Sequence, residues 1–405
     1  MKILLISSFL PYPLFSGGHI RLYNIIKGLS KNHEITLVCE KRDYQTKEDV
    51  REVEKFCKKV IVVDRKKQWT FSNIFKAGIS LSPFLIVGHT NELLKQAIIQ
   101  LLNNENFDLI HVETFYVYQN IPETQLPIVL IEHNVEYLVY KRFADKAAIL
   151  IRPLLYLDVA KLKINEQSAW RKVTRLVAVS KQEKKLMKRE DVVVVPNGVD
   201  VTKYQIRQLA DQISKKEKRI LFIGDFKWVE NRDAVEWILT DIWPKVKSSR
   251  LDSAKRAKLK VQSSLKLWIV GRRIPQNIKD LGDESVIFDE NAPIDTSLIY
   301  QKADVLLAPI RVGGGTSFKI LEAMSCGVPV VTTRLGIEGI RAEDKEEVLL
   351  ADDAKGLANQ VLNILQDNET RIKLINNARK LIEEKYDWRN IVEKLEEVYK
   401  SAVSS

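Results

Sequence analysis

Short apolar runs recur along the chain, separated by amphipathic or polar segments. In the first half, Lys2–Ser8, Glu34–Cys39, Val60–Val63, Leu109–Val112, Ile128–Glu132 and Arg175–Val179 are rich in Val, Ile and Leu and lack polar alternation. Strands covered on both faces read this way; strands with one wet face alternate. Ile20–Ser30 and Glu92–Asn103 carry apolar residues at helical spacing. Asp191–Asp200 ends a further strand with the turn formers Pro196, Asn197 and Gly198. The polar Lys203–Lys218 segment reads as a linker. The pattern then restarts: strands at Arg219–Ile223, Leu265–Val270, Val286–Phe288, Ala303–Pro309, Val328–Thr332 and Glu347–Leu350, with a helix beginning over Arg232–Leu239. Residues 248–264 are basic, lack apolar periodicity and read as an exposed loop or helical extension. At the C-terminus, Asp387 is positioned to cap a helix whose Trp388, Ile391, Val392, Leu395, Val398 and Tyr399 form one apolar stripe.

Strands alternating with helices imply parallel sheets. The restart implies two doubly wound α/β domains, which suits 405 residues. The boundaries expected are 1–200, 201–384 and a terminal segment 385–405.

Composition narrows the class. At 45% hydrophobic and 29% charged, with 16 Gly and 12 Pro, the chain is neither fibrous nor disordered. Cys39, Cys57 and Cys326 form no CxxC or CxxxC pair, so a disulfide scaffold and a cysteine zinc site are excluded, and a reducing cytoplasmic compartment is expected. No run reaches the roughly 18 apolar residues of a spanning helix. The opening run is interrupted by Pro11 and Pro13 and reads as a buried strand and loop, not a cleaved leader.

The net charge is +11, and residues 1–200 hold 30 Lys and Arg against 22 Asp and Glu. A basic half suits an anionic substrate, an anionic membrane or nucleic acid, but no nucleic-acid motif is present and no such partner is expected. Arg65–Phe75, RKKQWTFSNIF, reads as a solvated loop with its aromatic residues packed on the domain. The same composition also suits peripheral association with the inner face of a membrane.

The chemistry concentrates in Ala308–Val331, APIRVGGGTSFKILEAMSCGVPVV. It runs strand, glycine-rich loop, helix, turn, strand. Consecutive glycines let backbone N–H groups approach an anion, and the helix N-terminus adds free donors and positive dipole. Thr316 or Ser317 can cap that helix, Arg311 and Lys319 can neutralise a diphosphate, and Glu322 lies one turn beyond Lys319, able to accept from a ribose diol. GxxxxGK[ST] is absent, and no GxGxxG follows the first strand, which argues against a P-loop enzyme and a dinucleotide oxidoreductase. His133, ending a strand beside Asn134, is a candidate acid/base or hydroxyl donor; His19 and the His111/Glu113 pair are weaker candidates.

These segments resemble the GT-B glycosyltransferases of the group 1, family 4 type, in the subgroup carrying GGGT. APIRVGGGTSFKILEAMSCGVPVV resembles their nucleotide-sugar signature, VVVVPNGVD their interdomain turn, and FIGDFKWVENRDAVEWI the opening of their C-terminal domain. LWIVGRRIP, Gly17-Gly18 and VLIEHNVEYLVYKR match further stretches, in order. The resemblance implies two Rossmann-like domains facing a cleft, with the donor on the C-terminal domain, the acceptor on the N-terminal one, and a last helix returning to the first domain. It implies a nucleoside-diphosphate sugar as substrate, no cofactor, no catalytic metal, a glycan or lipid-linked acceptor, and retention of configuration.

It also assigns residues. Glu322 would hold the ribose, Arg311 and Lys319 the diphosphate, and amides of Gly314, Gly315 and Thr316 the phosphates or sugar. Gly17 and Gly18 would approach the diphosphate, and His133 the transferred sugar. Two departures stand out. The glutamate common eight residues before Glu322 is Gly314 here, and the phosphate-binding cations of the FIGDFKWVENRD region become Lys227 and Arg232 in another register. An epimerase-like enzyme or a non-catalytic sugar-nucleotide-binding subunit are the competing readings.

Overall fold

The computed structural model describes residues 1–206, 217–248, 264–291, 293, 295–313 and 315–404. Most of the expected linker, nearly all of 248–264, and Gly314 therefore lie outside the described residues. The chain divides into two compact units, Met1–Asn197 with Trp388–Ser405, and Gly198–Asp387. The terminal helix thus belongs with the first unit, and the crossings fall at Asn197/Gly198 and Asp387/Trp388.

In the first unit, β1 (Lys2–Ser7), β2 (Glu34–Lys41), β3 (Lys59–Asp64), β4 (Leu109–Glu113), β5 (Ile128–Glu132), β6 (Arg175–Ala178) and β7 (Val193–Val194) form one sheet in the order β3-β2-β1-β4-β5-β6-β7. Every pairing is parallel. All five residues of both β4 and β5 are buried, which is why these strands lack polar alternation. Leu4 and Ile6 of β1 join one apolar cluster with Ile110, Val112 and Leu130, while the equally buried Ile3 and Leu5 point to the opposite face. Trp388–Val403 packs against the Gly17–Leu29 helix and against β4 and β5, burying all six residues of its apolar stripe.

In the second unit, β8 (Glu217–Ile223), β9 (Ser264–Val270), β10 (Val286–Asp289), β11 (Val305–Ala308), β12 (Val330–Thr332) and β13 (Leu349–Leu350) follow the order β10-β9-β8-β11-β12-β13, again all parallel. Alternate residues of one strand enter different cores. Leu221, Trp268 and Leu306 lie in one, and Ile220, Phe222, Leu267 and Leu307 in the other. Helices therefore cover both faces of the sheet.

One expectation is corrected. RKKQWTFSNIF is not a loop with packed aromatics: Phe71–Ile79 is helical, capped by the Thr70 side chain accepting from Asn73 N. Trp69 touches the Phe84 ring, yet Trp69, Phe71 and Phe75 are all exposed.

Leu395 is fully buried in the stripe. Leu395→Ala is expected to destabilise the first unit by about 3 kcal/mol through transfer and cavity terms. Gly28→Ala should cost about 1–2 kcal/mol, since an added Cβ would overlap the Val392 side chain and the overpacking exceeds the helix-propensity gain. Denaturant unfolding of both variants measures this, and wild-type stability in both would show the terminal helix to be dispensable.

Candidate functional site

Both sheets reverse their strand order beside the first strand of each unit, between β1 and β4 and between β8 and β11. In open α/β sheets such a reversal leaves a crevice outside the carboxyl ends of the strands, where ligands bind. Each unit places its chemistry there.

In the second unit, β11 leads through Arg311 into the glycine loop and then the Phe318–Ser325 helix. Gly313 and Gly315 have φ of 107° and 85°, a region that disfavours side chains, so glycine is required at both. Ser317 sits at the N-cap, but its side chain makes no capping bond, and the first turn carries no acid. The buried Thr316 Oγ1 also has no partner. Among the described residues, no side chain caps this helix end, which leaves its donors and positive dipole for a ligand.

Lys319 Nζ donates to Asn231 Oδ1 at 2.6 Å and lies 4.3 Å from the centre of the Phe222 ring. Burial beside that ring lowers its pKa to about 8, although Glu230 and Glu322 favour the charged form. Glu322 accepts from Tyr204 Oη at 2.9 Å and from Tyr300 Oη at 2.8 Å. Burial raises its pKa despite these two bonds. Arg311 stands apart. Its Nη2 and Nε bond Asp233 at 3.0 and 3.2 Å, and its guanidinium stacks 4.3 Å from the Trp237 ring.

Lys319, Asn231, the loop glycines and the helix end thus gather at one place, Glu322 with its tyrosines lies one turn on, and Arg311 is already paired. Lys227 and Arg232 are both exposed, and the Lys227 ammonium lies 5.6 Å from the Trp228 ring. Asn231 was missed by the sequence reading although it neighbours Arg232. Tyr204 fell in the expected linker, yet it is buried. Gly224, at the end of β8, leaves the space that the Asn231 side chain fills.

In the first unit, the Gly17–Leu29 helix begins at the β1 crevice, with Ser16 Oγ accepting from His19 N. His133 follows β5 and presents its Nδ1–Cε1 edge toward Gly18. Its Nε2 lies 2.6 Å from Glu113 Oε1, and His111 Nε2 lies 2.7 Å from Glu113 Oε2. An ionised carboxylate only accepts, so both imidazoles donate through Nε2. His111 Nδ1 is then free to accept from Tyr399 Oη of the terminal helix, which bonds it closely. Burial opposes ionisation of Glu113, but the His133 charge and the bonds from both histidines prevail and hold its carboxyl well below the usual range.

Arg21 completes this cluster. Fully enclosed, it donates to Val195 O, Pro196 O and Asn197 Oδ1 at 3.0, 2.8 and 3.1 Å, and its Nε lies 3.9 Å from Glu113 Oε1. The only trace of it in the sequence is a charge beside the buried stripe of Leu22, Ile25, Ile26 and Leu29. The His133 turn is pinned from behind, where Glu166 accepts from the N–H groups of Glu136 and Tyr137 at 2.7 and 3.0 Å, and Glu132 from Trp170 Nε1 at 2.8 Å.

Comparison with known proteins agrees with this fold. A family profile described as Glycosyltransferase Family 4 matches residues 15–203, and one described as Glycosyl transferases group 1 matches residues 217–367. The "Uncharacterized 44.6 kDa protein in cps region" of Klebsiella pneumoniae is 24% identical over 415 residues, covering 96% of this chain and 97% of that protein. A sucrose-phosphate synthase from Thermosynechococcus elongatus superimposes with a TM-score of 0.68 at 16% identity over 100% of both chains. Anabaena Alr3699/HepE, in complex with UDP and glucose, superimposes with a TM-score of 0.63 at 16% identity, over 99% of this chain and 100% of its own. With both units matched and the strand orders described above, the chain belongs to the group 1, family 4 glycosyltransferases of GT-B fold.

Proposed function

We propose that the protein transfers a sugar from a nucleoside-diphosphate sugar to an acceptor hydroxyl, with retention of configuration. The observation that carries this reading is the Lys319–Asn231 pair at an uncapped helix N-terminus reached through glycines of positive φ. That is a site for a doubly charged leaving group. Lys319 and the amides of Gly314, Gly315 and Thr316 would take the diphosphate, with Arg311 in a secondary role because Asp233 already holds it. Glu322 would exchange a tyrosine hydroxyl for the ribose diol. The UDP bound by the Anabaena relative supports a nucleotide of this class. Charge neutralisation by these groups leaves no step that calls for a metal ion.

His133 would contact the transferred sugar, and Gly17 and Gly18, in the first turn of a helix capped by Ser16, would approach the diphosphate. With its Nε2 held by Glu113, His133 keeps Nδ1 available to a sugar hydroxyl. The basic residues 1–200 favour an anionic acceptor, such as a growing acidic glycan or a phosphate-linked lipid saccharide.

Lys319→Ala is expected to weaken UDP or GDP binding by about 2 kcal/mol, roughly thirtyfold, as for loss of a charged hydrogen bond. Glu322→Ala should weaken the nucleoside diphosphate while leaving inorganic diphosphate unaffected. Calorimetry on both variants tests the assignment, and unchanged nucleotide affinity in both overturns it. The diphosphate needs Lys319 protonated, so wild-type affinity should fall as pH rises through about 8. Lys319→Arg should bind without that fall.

Glu113→Gln tests the second half. Losing the carboxylate removes the acceptor that fixes His133 Nε2, so the ring loses its set orientation and tautomer. The rate should drop on the order of a hundredfold, as for loss of a positioned acid/base group, with little change in donor KM. A structural role alone would lower stability and leave kcat at the wild-type value under conditions where the variant stays folded.

A further inference from the structure

Glu322 accepts from two tyrosines that differ in what else they touch. Tyr300 is fully enclosed, and among the described residues its hydroxyl makes no bond except the one to Glu322 Oε2 at 2.8 Å. Tyr204 Oη donates to Glu322 Oε1 at 2.9 Å and also lies 2.8 Å from Thr296 Oγ1. Burial, reinforced by the Glu322 carboxylate, raises the pKa of both phenols, so both keep their protons. A phenol has one proton to give, and Tyr204 gives it to the carboxylate. The Thr296 hydroxyl is therefore the donor in the bond it shares with Tyr204.

The two tyrosine hydroxyls are not equally free to leave. Releasing Tyr300 would strand a buried donor, which is the costly outcome in any exchange of hydrogen bonds. Tyr204 needs only to rotate its O–H from Glu322 to Thr296, which reverses one hydrogen bond and moves no proton between groups. Thr296 is half-buried, so its own proton can turn to water. The Tyr204 backbone is meanwhile held still. Arg379 Nη1 donates to Tyr204 O at 2.7 Å and to Ser325 O at 2.6 Å, and Ser325 Oγ donates to Tyr204 O at 2.9 Å. Ser325 ends the helix that carries Glu322, so the tyrosine and the carboxylate are fixed to one element.

Given the assignment of Glu322 to the ribose diol, on which this rests, we propose that Tyr204 is the partner Glu322 releases to the nucleoside and that Thr296 receives its hydroxyl. Tyr300 then remains the fixed support of the carboxylate. Thr296 is a positioning residue that sets nucleoside affinity through Tyr204, and diphosphate affinity does not depend on it.

Calorimetry on the full chain with UDP, GDP and inorganic diphosphate tests this. Thr296→Val deprives the released hydroxyl of its acceptor and should weaken the nucleotide about tenfold, as for one stranded hydroxyl, with inorganic diphosphate unchanged. Thr296→Ser should keep wild-type affinity. Tyr204→Phe has no hydroxyl to release and should bind the nucleotide at least as tightly as wild type. Adding Thr296→Val to Tyr204→Phe should change affinity by less than about twofold. A merely structural role for Thr296 would weaken nucleotide and diphosphate together, or would persist in the Tyr204→Phe background. Either result overturns the proposal, as does wild-type nucleotide affinity in Thr296→Val. So does weaker binding by Tyr204→Phe, which would show that the bound state keeps the Tyr204 hydroxyl on Glu322. If Glu322→Ala weakens the nucleotide while Thr296→Val does not, the exchange fails and the ribose assignment stands. If Glu322→Ala has no effect, the assignment fails and the exchange with it.

Discussion

A parallel sheet whose strand order reverses beside its first strand cannot be covered evenly at its carboxyl edge. The connections on either side of β1 and β4, and of β8 and β11, leave in opposite directions and open a crevice there. The assigned residues sit at these two places. Gly17, Glu113 and His133 follow from the first reversal, and Gly224, Asn231 and Lys319 from the second. The sheets need buried apolar strands to exist, and their order then fixes where polar chemistry can be reached.

Polar groups at such an edge are partly cut off from water and need internal partners. Glu113 illustrates the solution. An isolated buried carboxylate would take up a proton, but two imidazole donors and the nearby Arg21 guanidinium keep it ionised. The same arrangement joins separate parts of the chain. Tyr399 arrives from the terminal helix, Arg21 from the first helix, and the carbonyls of Val195 and Pro196 from the last stretch before the chain leaves the unit. Fixing the tautomer of His133 and fixing the path of that exit are therefore one task, performed by one carboxylate and one guanidinium.

The strands were legible because burial on both faces writes an uninterrupted apolar run. The Lys319 and Glu322 positions were legible because glycine loop, helix start and charges follow within a few residues. Their partners were not, since Asn231, Tyr204 and Tyr300 reach them from 88, 118 and 22 residues away. The helices at Phe71–Ile79 and Arg152–Lys172 escaped for a different reason. Helical periodicity is recognised by assuming that apolar side chains point inward, and these helices keep Phe71, Phe75, Leu154 and Leu157 outside. The segments hardest to read as structure are thus those whose surfaces are unusual.

On the proposed reading, ligand binding in the second unit is an exchange. Lys319 holds a neutral amide and Glu322 two hydroxyls, so each can change partners without leaving another charge bare. A carboxylate at position 231 would bind Lys319 more tightly and would also repel a diphosphate; asparagine does neither. Arg311 has the opposite arrangement, tied to the carboxylate of Asp233, and releasing it would expose an uncompensated charge. The order of recruitment follows: Lys319 and the helix amides first, Arg311 only where the gain exceeds its existing ion pair. An unpartnered buried lysine would be costly to fold and slow to release its product, whereas one resting on asparagine and an aromatic ring can capture a diphosphate and let it go.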